Sequence, residues 1–208
     1  TAEGMAFAEV EESAALDSMA ASNGGVIPPN IPAPPAPEPE LIDGIRPDSF
    51  REDDIARLDS SSVRALDKDQ FAAFDPTAVA GFGRDHVAAF DPTAVAGFDD
   101  KHIAAFDTQA IAGFKADHVA AFDTTAITGL AKDQFAAFDP TAMAGFKADH
   151  FAALDHSYMT ALDKDHVAAF DPMAVAGFDD KHIAAFDTAA MAGFKADHVA
   201  ALDATAIA

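Results

Sequence analysis

The sequence predicts an all-α repeat solenoid of short capped helices, with two octads in each 16-residue unit. Three observations lead to this fold class. Large apolar residues recur in pairs three residues apart in every octad from about residue 51 onward, as at Val79 and Phe82. Asp follows the second apolar residue in most octads, and Pro often follows that Asp. Asp is a favoured helix N-cap and Pro a favoured first helical residue, so each octad reads as a helix that starts afresh.

The octad spacing itself indicates that the helices are short. An α-helix turns about 100° per residue, so eight residues overshoot two full turns by about 80°. A continuous helix would therefore spread its Phe residues around the axis and bury none of its faces. The chain must turn a corner within each octad. Helices this short are unstable alone, and we expect them to stack and bury their apolar residues against neighbouring turns, as in other solenoids.

Two kinds of octad alternate, which makes the sequence unit two octads long. One kind reads like DDKHIAAF and the other like DTQAIAGF. A longer repeat of ten octads is also present, because DDKHIAAFDT at 99–108 returns at 179–188. This indicates segmental duplication. The paired Ala residues, and the Gly of alternate octads, predict close approach between helices.

A β-solenoid is the alternative fold. A coil of two octads would be near the length found in some parallel β-helices. Against this alternative, Ala is a poor strand residue, and Asp-Pro would interrupt the hydrogen bonds of a sheet.

The chain divides into four zones. Residues 1–21 read as an amphipathic helix or a disordered segment, and residues 22–46 as a Pro-rich linker or strap, with seven prolines between residues 22 and 40. Residues 47–66 are more polar and read as N-terminal capping repeats, and residues 67–208 form the octapeptide-repeat solenoid. No polar octad closes the array, so we expect further repeats or a partner beyond residue 208.

Composition excludes several classes of function. The 208 residues carry 35 acidic and 13 basic residues, a formal net charge of −22. Such a surface repels nucleic acids and anionic lipids, so neither is an expected partner. The chain has no Cys, which excludes disulfides and thiolate chemistry. No apolar run is long enough to span a membrane, and the acidic first residues do not read as a signal peptide.

Histidines recur at one position of the octad and are the candidate metal ligands. They are His86, His102, His118, His150, His166, His182 and His198. An adjacent Asp precedes several of them, and imidazole with carboxylate suits zinc or copper. Stacked helices lie about 8–10 Å apart, too far for equivalent side chains to share a metal, whereas β-coils lie about 4.8 Å apart. The competing interpretation is that His, like Gln70 and Gln134, hydrogen-bonds locally near a helix N-terminus. Protonation of these residues could also make assembly pH-sensitive.

Other catalytic or ligand signals are weak. Neither an EF-hand loop nor a glycine-rich calcium nonapeptide occurs. His156 and Tyr158 form an irregular polar pair in the octad DHSYMTAL, which reads as a decayed repeat or a special site. The sequence has no phosphate-binding loop, Rossmann fingerprint or nucleophilic triad. We therefore expect no enzymatic activity and no cofactor.

The octad resembles the tandem repeats of very large bacterial secreted or surface proteins. That pattern reads Leu, Thr or Ser, two variable residues, Gln, Ile or Val, two residues, Leu. Gln70 and Gln134, each followed by FAAFD, match it most closely, and the resemblance covers residues 51–208. In that family the position of Phe74 usually holds Leu, the position of Asp75 usually holds Thr or Ser, and the position of His86 often holds Gln. The resemblance implies a surface, filament-forming or adhesin-like role with no active site.

The first hypothesis is therefore a structural or interaction protein, a rod-like module of an extracellular or cell-surface fibre, adhesin or matrix. It could assemble with itself end to end or laterally. An alternative is an accessory scaffold subunit, whose Pro-rich segment and acidic rod dock on a larger protein complex. A weaker alternative is a metal-binding histidine ladder.

Overall fold

The structure, a computed structural model, describes residues 46–202, all of which lie within one unit spanning 39–208. The predicted N-terminal helix at 1–21, the linker up to residue 45 and the last residues, 203–208, lie outside the described residues.

The described residues are helical, and no strand occurs among them. The all-α solenoid prediction is confirmed, and the β-solenoid alternative is not supported. Between residues 46 and 202 there are fifteen α-helices of four to six residues and five 3-10 helices. The α-helices are Glu52–Ile55, Ser60–Arg64, Lys68–Ala73, Pro76–Val79, Arg84–Val87, Asp100–Ala105, Thr108–Ile111, Ala116–Ala121, Thr124–Thr128, Lys132–Phe135, Ala148–Ala153, Lys164–Ala168, Asp180–Ala185, Thr188–Met191 and Ala196–Ala201. The 3-10 helices are Pro47–Ser49, Ala94–Gly97, Pro140–Gly145, His156–Ala161 and Ala174–Gly177.

Each coil of the solenoid contains three octads. Helix Arg84–Val87 packs on Ser60–Arg64, three octads before it, and on Thr108–Ile111, three octads after it. The other helix pairs in contact follow the same step. The sequence unit of two octads and the structural coil of three octads therefore differ.

This difference determines which octads meet. We number the residues of each octad 1 to 8, from the cap to the last apolar residue. Most type A octads, such as 99–106, carry His or Gln at position 4; most type B octads, such as 75–82, carry Ala at position 4 and Gly at position 7. Because a coil holds an odd number of alternating octads, each octad lies between octads of the other type. Octad 99–106, for example, packs between 75–82 and 123–130.

Aspartates cap the helices as predicted. Asp107 accepts a hydrogen bond from the amide of Ala110 at 2.7 Å, and Asp75 accepts from the amide and the hydroxyl of Thr77 at 2.8 and 2.6 Å. Where the last residue of an octad is also the helix C-cap, its backbone is extended; Phe106, for example, has φ −66° and ψ 141°. This extended residue is the corner that directs the chain into the next octad.

Phenylalanines at position 8 form the centre of the core. Rings of successive octads meet edge to face, with centroid distances of 5.4 Å for Phe98 and Phe106 and 5.3 Å for Phe106 and Phe114. Rings one coil apart also meet, at 6.3 Å for Phe82 and Phe106. Each of these side chains is buried, and burying one Phe contributes roughly 1.5–3 kcal/mol. Edge-to-face pairs add about 0.5–1.5 kcal/mol each.

Glycine at position 7 of type B octads allows the coils to approach closely. A Cβ on Gly97 would overlap the carbonyl oxygen of Lys68, at position 2 of the type A octad one coil earlier. Six other glycines have the same relationship to the position 2 carbonyl one coil earlier: Gly81, Gly113, Gly129, Gly145, Gly177 and Gly193. The predicted role of Gly in close helix approach is confirmed.

The region predicted as capping repeats is built like the octads that follow. Phe50 is buried and meets Phe74, one coil later, at a ring distance of 5.7 Å. Ile55 and Val63 are also buried. The stacking therefore includes the 3-10 helix Pro47–Ser49, ahead of the first full octad at residue 51.

Candidate functional site

The seven histidines of the type A octads form one row of equivalent contacts. In each, Nδ1 lies 3.1–3.3 Å from the amide nitrogen of the residue three positions earlier, the N-cap of its own helix. Nε2 lies 2.8–3.2 Å from a carbonyl oxygen 28 residues earlier, at the corner of the preceding coil. The acceptors, in order, are Leu58, Phe74, Phe90, Phe122, Phe138, Leu154 and Phe170.

These contacts fix the chemical state of the ring. A backbone amide can only donate, so Nδ1 carries no proton and accepts. A carbonyl can only accept, so Nε2 carries the proton and donates. A histidine that makes both bonds, and has no carboxylate beside its Nδ1, is therefore neutral. It closes a capping box in its own octad and joins that octad to the coil before it.

Gln134 makes the same two bonds with an amide side chain. Its Oε1 accepts from the amide of Ala131 at 2.6 Å, and its Nε2 donates to the carbonyl of Phe106 at 2.7 Å. Local hydrogen bonding of His and Gln near a helix N-terminus was predicted and is observed. The bond to the preceding coil was not predicted. The sequence does carry a signal for this inter-coil bond, because His and Gln replace each other at position 4. Both side chains carry an acceptor and a donor on separate atoms, whereas an ionised Glu has only acceptors and could make the cap bond alone.

The adjacent Asp-His pairs of the sequence are not the coupled pairs in the structure. The Asp that directly precedes five of the seven histidines, as at Asp165, is exposed. The carboxylate nearest the ring belongs to the N-cap three residues earlier. Asp99, Asp163 and Asp179 place Oδ1 at 2.7, 2.8 and 2.6 Å from the Nδ1 of His102, His166 and His182. The other four histidines follow Gly83, Lys115, Lys147 and Lys195 and have no such carboxylate.

Burial shapes the electrostatics of two of these residues. It lowers the pKa of His118 below the usual 6.5, and the Lys115 ammonium lowers it further, although the bond to the Phe90 carbonyl acts in the opposite direction. Burial and the charge of Lys147 likewise lower the pKa of His150.

Hydrogen bonding lowers the pKa of several capping carboxylates. The Ser61 hydroxyl and the Ser62 amide lower the pKa of Asp59 to about 2. Hydrogen bonds from backbone amides lower the pKa of Asp163 and Asp179. The largest contribution comes from the His166 amide at Asp163 and from the His182 amide at Asp179. These aspartates are therefore ionised at neutral pH.

The ring nitrogens that would bind a metal already take part in hydrogen bonds. Both ring nitrogens of every candidate histidine already bond to backbone groups, so a metal would have to break a cap or an inter-coil bond. Within residues 46–202, no three His, Cys, Asp or Glu side chains lie together as ligands of one ion.

The irregular octad 155–162 contains a substitute for the histidine. Tyr158 occupies position 4 of this type B octad, and its hydroxyl donates to the carbonyl of Leu130, 28 residues earlier, at 2.7 Å. His156 lies on the surface with its Nδ1 3.8 Å from Asp155. Tyr158 thus has a structural role, and the structure does not bring His156 and Tyr158 together as a site.

A surface groove of about 430 Å³ is the most apolar concavity among the described clefts. Its lining includes Phe146, Lys147, Ala174 and Met173, which is 82% exposed. The groove brings together no pair of acid and base with a nucleophile. No helix among residues 46–202 is long and apolar enough to cross a membrane.

The class that the fold defines is an all-α repeat solenoid whose coils are joined by a row of capping side chains. No protein-family model, curated protein or solved structure matches the chain.

Proposed function

We propose that this chain is a structural and interaction module, a rod-like segment of an extracellular or cell-surface fibre, adhesin or matrix. The observation that carries the proposal is the repeated joint between coils. The same His or Gln hydrogen bond and the same Gly contact recur along the array. The His and Gln side chains at position 4 therefore hold neighbouring coils together.

The core and the surface also support a structural role. The apolar core continues through every coil from Phe50 to Ala190, and no buried side-chain nitrogen or oxygen of the described residues lacks a partner. The exposed positions carry most of the acidic side chains, which keep a large surface hydrated. We also propose a cell-surface location, because the octads resemble tandem repeats of secreted bacterial proteins.

The N-terminal coil bears on how such modules would assemble. Asp54 stands at position 4 of the first type A octad, and its carboxylate accepts from the Arg51 amide at 3.1 Å. A carboxylate has no proton to donate to a carbonyl of another coil. Ala65 replaces Gly at position 7 of the next octad. We therefore expect assembly to use lateral contacts or the Pro-rich segment, and not stacking of this coil on a second copy.

Sedimentation velocity and electron microscopy of the full chain test self-assembly. We expect concentration-dependent assemblies that shorten or vanish when residues 1–45 are deleted. Assemblies that are unchanged by the deletion would refute the tethering role of that segment. A chain that stays monomeric at all concentrations would refute self-assembly.

The exposed groove at Met173 favours a second candidate, docking on another protein. Thr occupies the same octad position at Thr77, Thr93 and Thr141, so Met173→Thr is a conservative change at this surface. Co-purification with one protein in fixed stoichiometry, lost in Met173→Thr, would support the scaffold role. Retention by Met173→Thr would exclude the groove as the docking surface.

A further inference from the structure

The histidine row includes two sets that differ in the residue beside Nδ1; His86, whose helix has Gly83 as its N-cap, belongs to neither. In the carboxylate-capped set, His102, His166 and His182, an Asp oxygen lies within hydrogen-bond distance of Nδ1. A proton added to Nδ1 would find an acceptor there. Beside His118, His150 and His198 the N-cap side chain is an amine, and only the backbone amide faces Nδ1. His198 lies in the last octad of residues 46–202, so the lysine-capped pair that lies between two described coils is His118 and His150.

Protonation has different consequences in the two sets. In the lysine-capped pair the added N–H would point at a backbone N–H, so the cap bond is lost and two donors face each other. Both rings are nearly fully buried, at 1% and 2% exposure, so solvent offers no substitute acceptor. Protonation must therefore be accompanied by movement of the ring, which also carries the bond to the preceding coil.

The charged groups around the pair do not compensate. Lys115 and Asp117 face His118 from its own octad, and Asp91 faces it from the coil below. The Lys115 ammonium is held close by its bond to the Ala88 carbonyl at 2.6 Å. In the octad above, the one charged residue, Asp139, accepts from the amide and hydroxyl of Thr141.

The surroundings of His150 match those of His118. Lys147 and Asp149 face it from its own octad, and Asp123 from the coil below. In the octad above, Asp171 is committed to the amide of Met173 at 2.7 Å.

We propose that His118 and His150 make the stacking of coils acid-sensitive, whereas the carboxylate-capped histidines tolerate a proton. The solenoid would then loosen at two defined joints, His118 to Phe90 and His150 to Phe122, under mild acid.

The direction of the effect follows from the lowered pKa values. Folding holds the pair neutral, so the stabilisation is complete above the usual pKa of 6.5 and is lost as the pH falls below it toward the folded value. Each residue changes the folding constant by up to about tenfold per pH unit in that window. The capping aspartates Asp91 and Asp123 stay ionised there, because hydrogen bonds from Thr93 and Thr125 lower their pKa below 3.8.

The chain itself offers the neutral replacement, since Gln134 makes both bonds without titrating. The experiment compares the full chain with His118→Gln/His150→Gln and with the matched control His102→Gln/His182→Gln. Unfolding in urea, followed by circular dichroism at about pH 7.5 and about pH 5, gives the folding constant of each. On acidification, the folding constant of wild type should fall by a factor at least about ten times larger than that of the first variant. The factor for the control should lie within about threefold of the wild-type factor. Equal acid loss in wild type and the first variant would overturn the proposal.

A second measurement does not depend on the stability of a Gln variant. Nitrogen NMR of the wild-type rings across the same pH range reports protonation and tautomer directly. We expect His118 and His150 to remain neutral, with the proton on Nε2, at pH values below the usual pKa of 6.5. Lys115→Asp places a carboxylate beside Nδ1 and should raise the pKa of His118. Protonation of wild-type His118 and His150 at or above the usual pKa of 6.5, without loss of the bonds, would refute the proposal.

Discussion

The hydroxyl of Tyr158 donates to the carbonyl oxygen of Leu130 at 2.7 Å, across the same 28 residues that separate each histidine from its acceptor. A phenol in a type B octad thus makes the inter-coil bond that imidazoles make in type A octads. The shared geometry indicates that the corner carbonyl accepts a hydrogen bond from position 4 side chains of different chemistry.

Replacing that phenol by Phe should destabilise the protein by about 1 kcal/mol, because the edge-to-face contact with Phe135 at 5.7 Å remains while the hydrogen bond is lost. Urea unfolding of Tyr158→Phe measures the cost. The exposed His156→Ala in the same octad is the control and should stay within about 0.5 kcal/mol of wild type. A Phe variant as stable as wild type would show that the bond contributes nothing.

Substituting Gly97 by Ala should cost about 1–3 kcal/mol, because the new methyl overlaps the Lys68 carbonyl oxygen and forces two coils apart. Ala161 stands at the equivalent position of octad 155–162, so the fold accommodates a methyl at one joint. Gly83→Ala is the matched control, since no heavy atom lies within 4 Å of its added Cβ and its φ is −89°. Thermal unfolding compares the two variants, and equal effects would contradict the role assigned to Gly97.

Asp123 caps its helix through the Ala126 amide at 2.9 Å and the Thr125 hydroxyl at 2.6 Å. Removing the cap with Asp123→Ala should cost about 1 kcal/mol at neutral pH. The Thr125 hydroxyl bond is the main reason that the pKa of Asp123 is lowered from 3.8. The charge therefore stabilises the fold above 3.8, and this contribution disappears as the pH falls through the lower, folded value.

Asp123→Asn separates the charge from the cap. We expect it to be less stable than wild type at pH 6 and closer to wild type at about pH 3, because the contribution of the charge declines below 3.8 toward the lowered pKa of Asp123 in the folded state. Urea unfolding at the two pH values checks this, and a difference that does not change with pH would contradict the charge argument.

The local structure could be predicted from the sequence because it depends on neighbouring residues. Asp75 followed by Pro76 specifies a cap and a first helical residue, and the pairing of Val79 with Phe82 specifies the buried face. The three-octad coil could not be predicted this way. It depends on the angle that each extended corner residue, such as Phe106, adds to the chain path, and residue type does not set that angle.

The histidine row shows the same limit. The cap within an octad, from His118 to Lys115, spans three residues and is visible as a sequence pattern. The bond from His118 to Phe90 spans 28 residues and can be assigned only when the number of octads per coil is known. Once that number is known, the alternation of octad types explains why His at position 4 and Gly at position 7 never occur in the same octad.

A pair of deletions tests this stacking rule most directly. Removing octad 123–130 alone stacks octads of the same type on each other at three joints between coils. Ala137 then lies over the Asp100 carbonyl where Gly129 lies now, and the Phe106 carbonyl loses its donor Gln134 to Ala142. Removing two octads, 123–138, restores the alternation of type A and type B.

The measurement is the urea midpoint of both deletions, followed by circular dichroism. The three-octad coil predicts that the two-octad deletion unfolds at a higher urea concentration than the one-octad deletion, although it removes twice as much of the chain. A one-octad deletion as stable as the two-octad deletion, or more stable, would contradict the alternating stack on which the account rests.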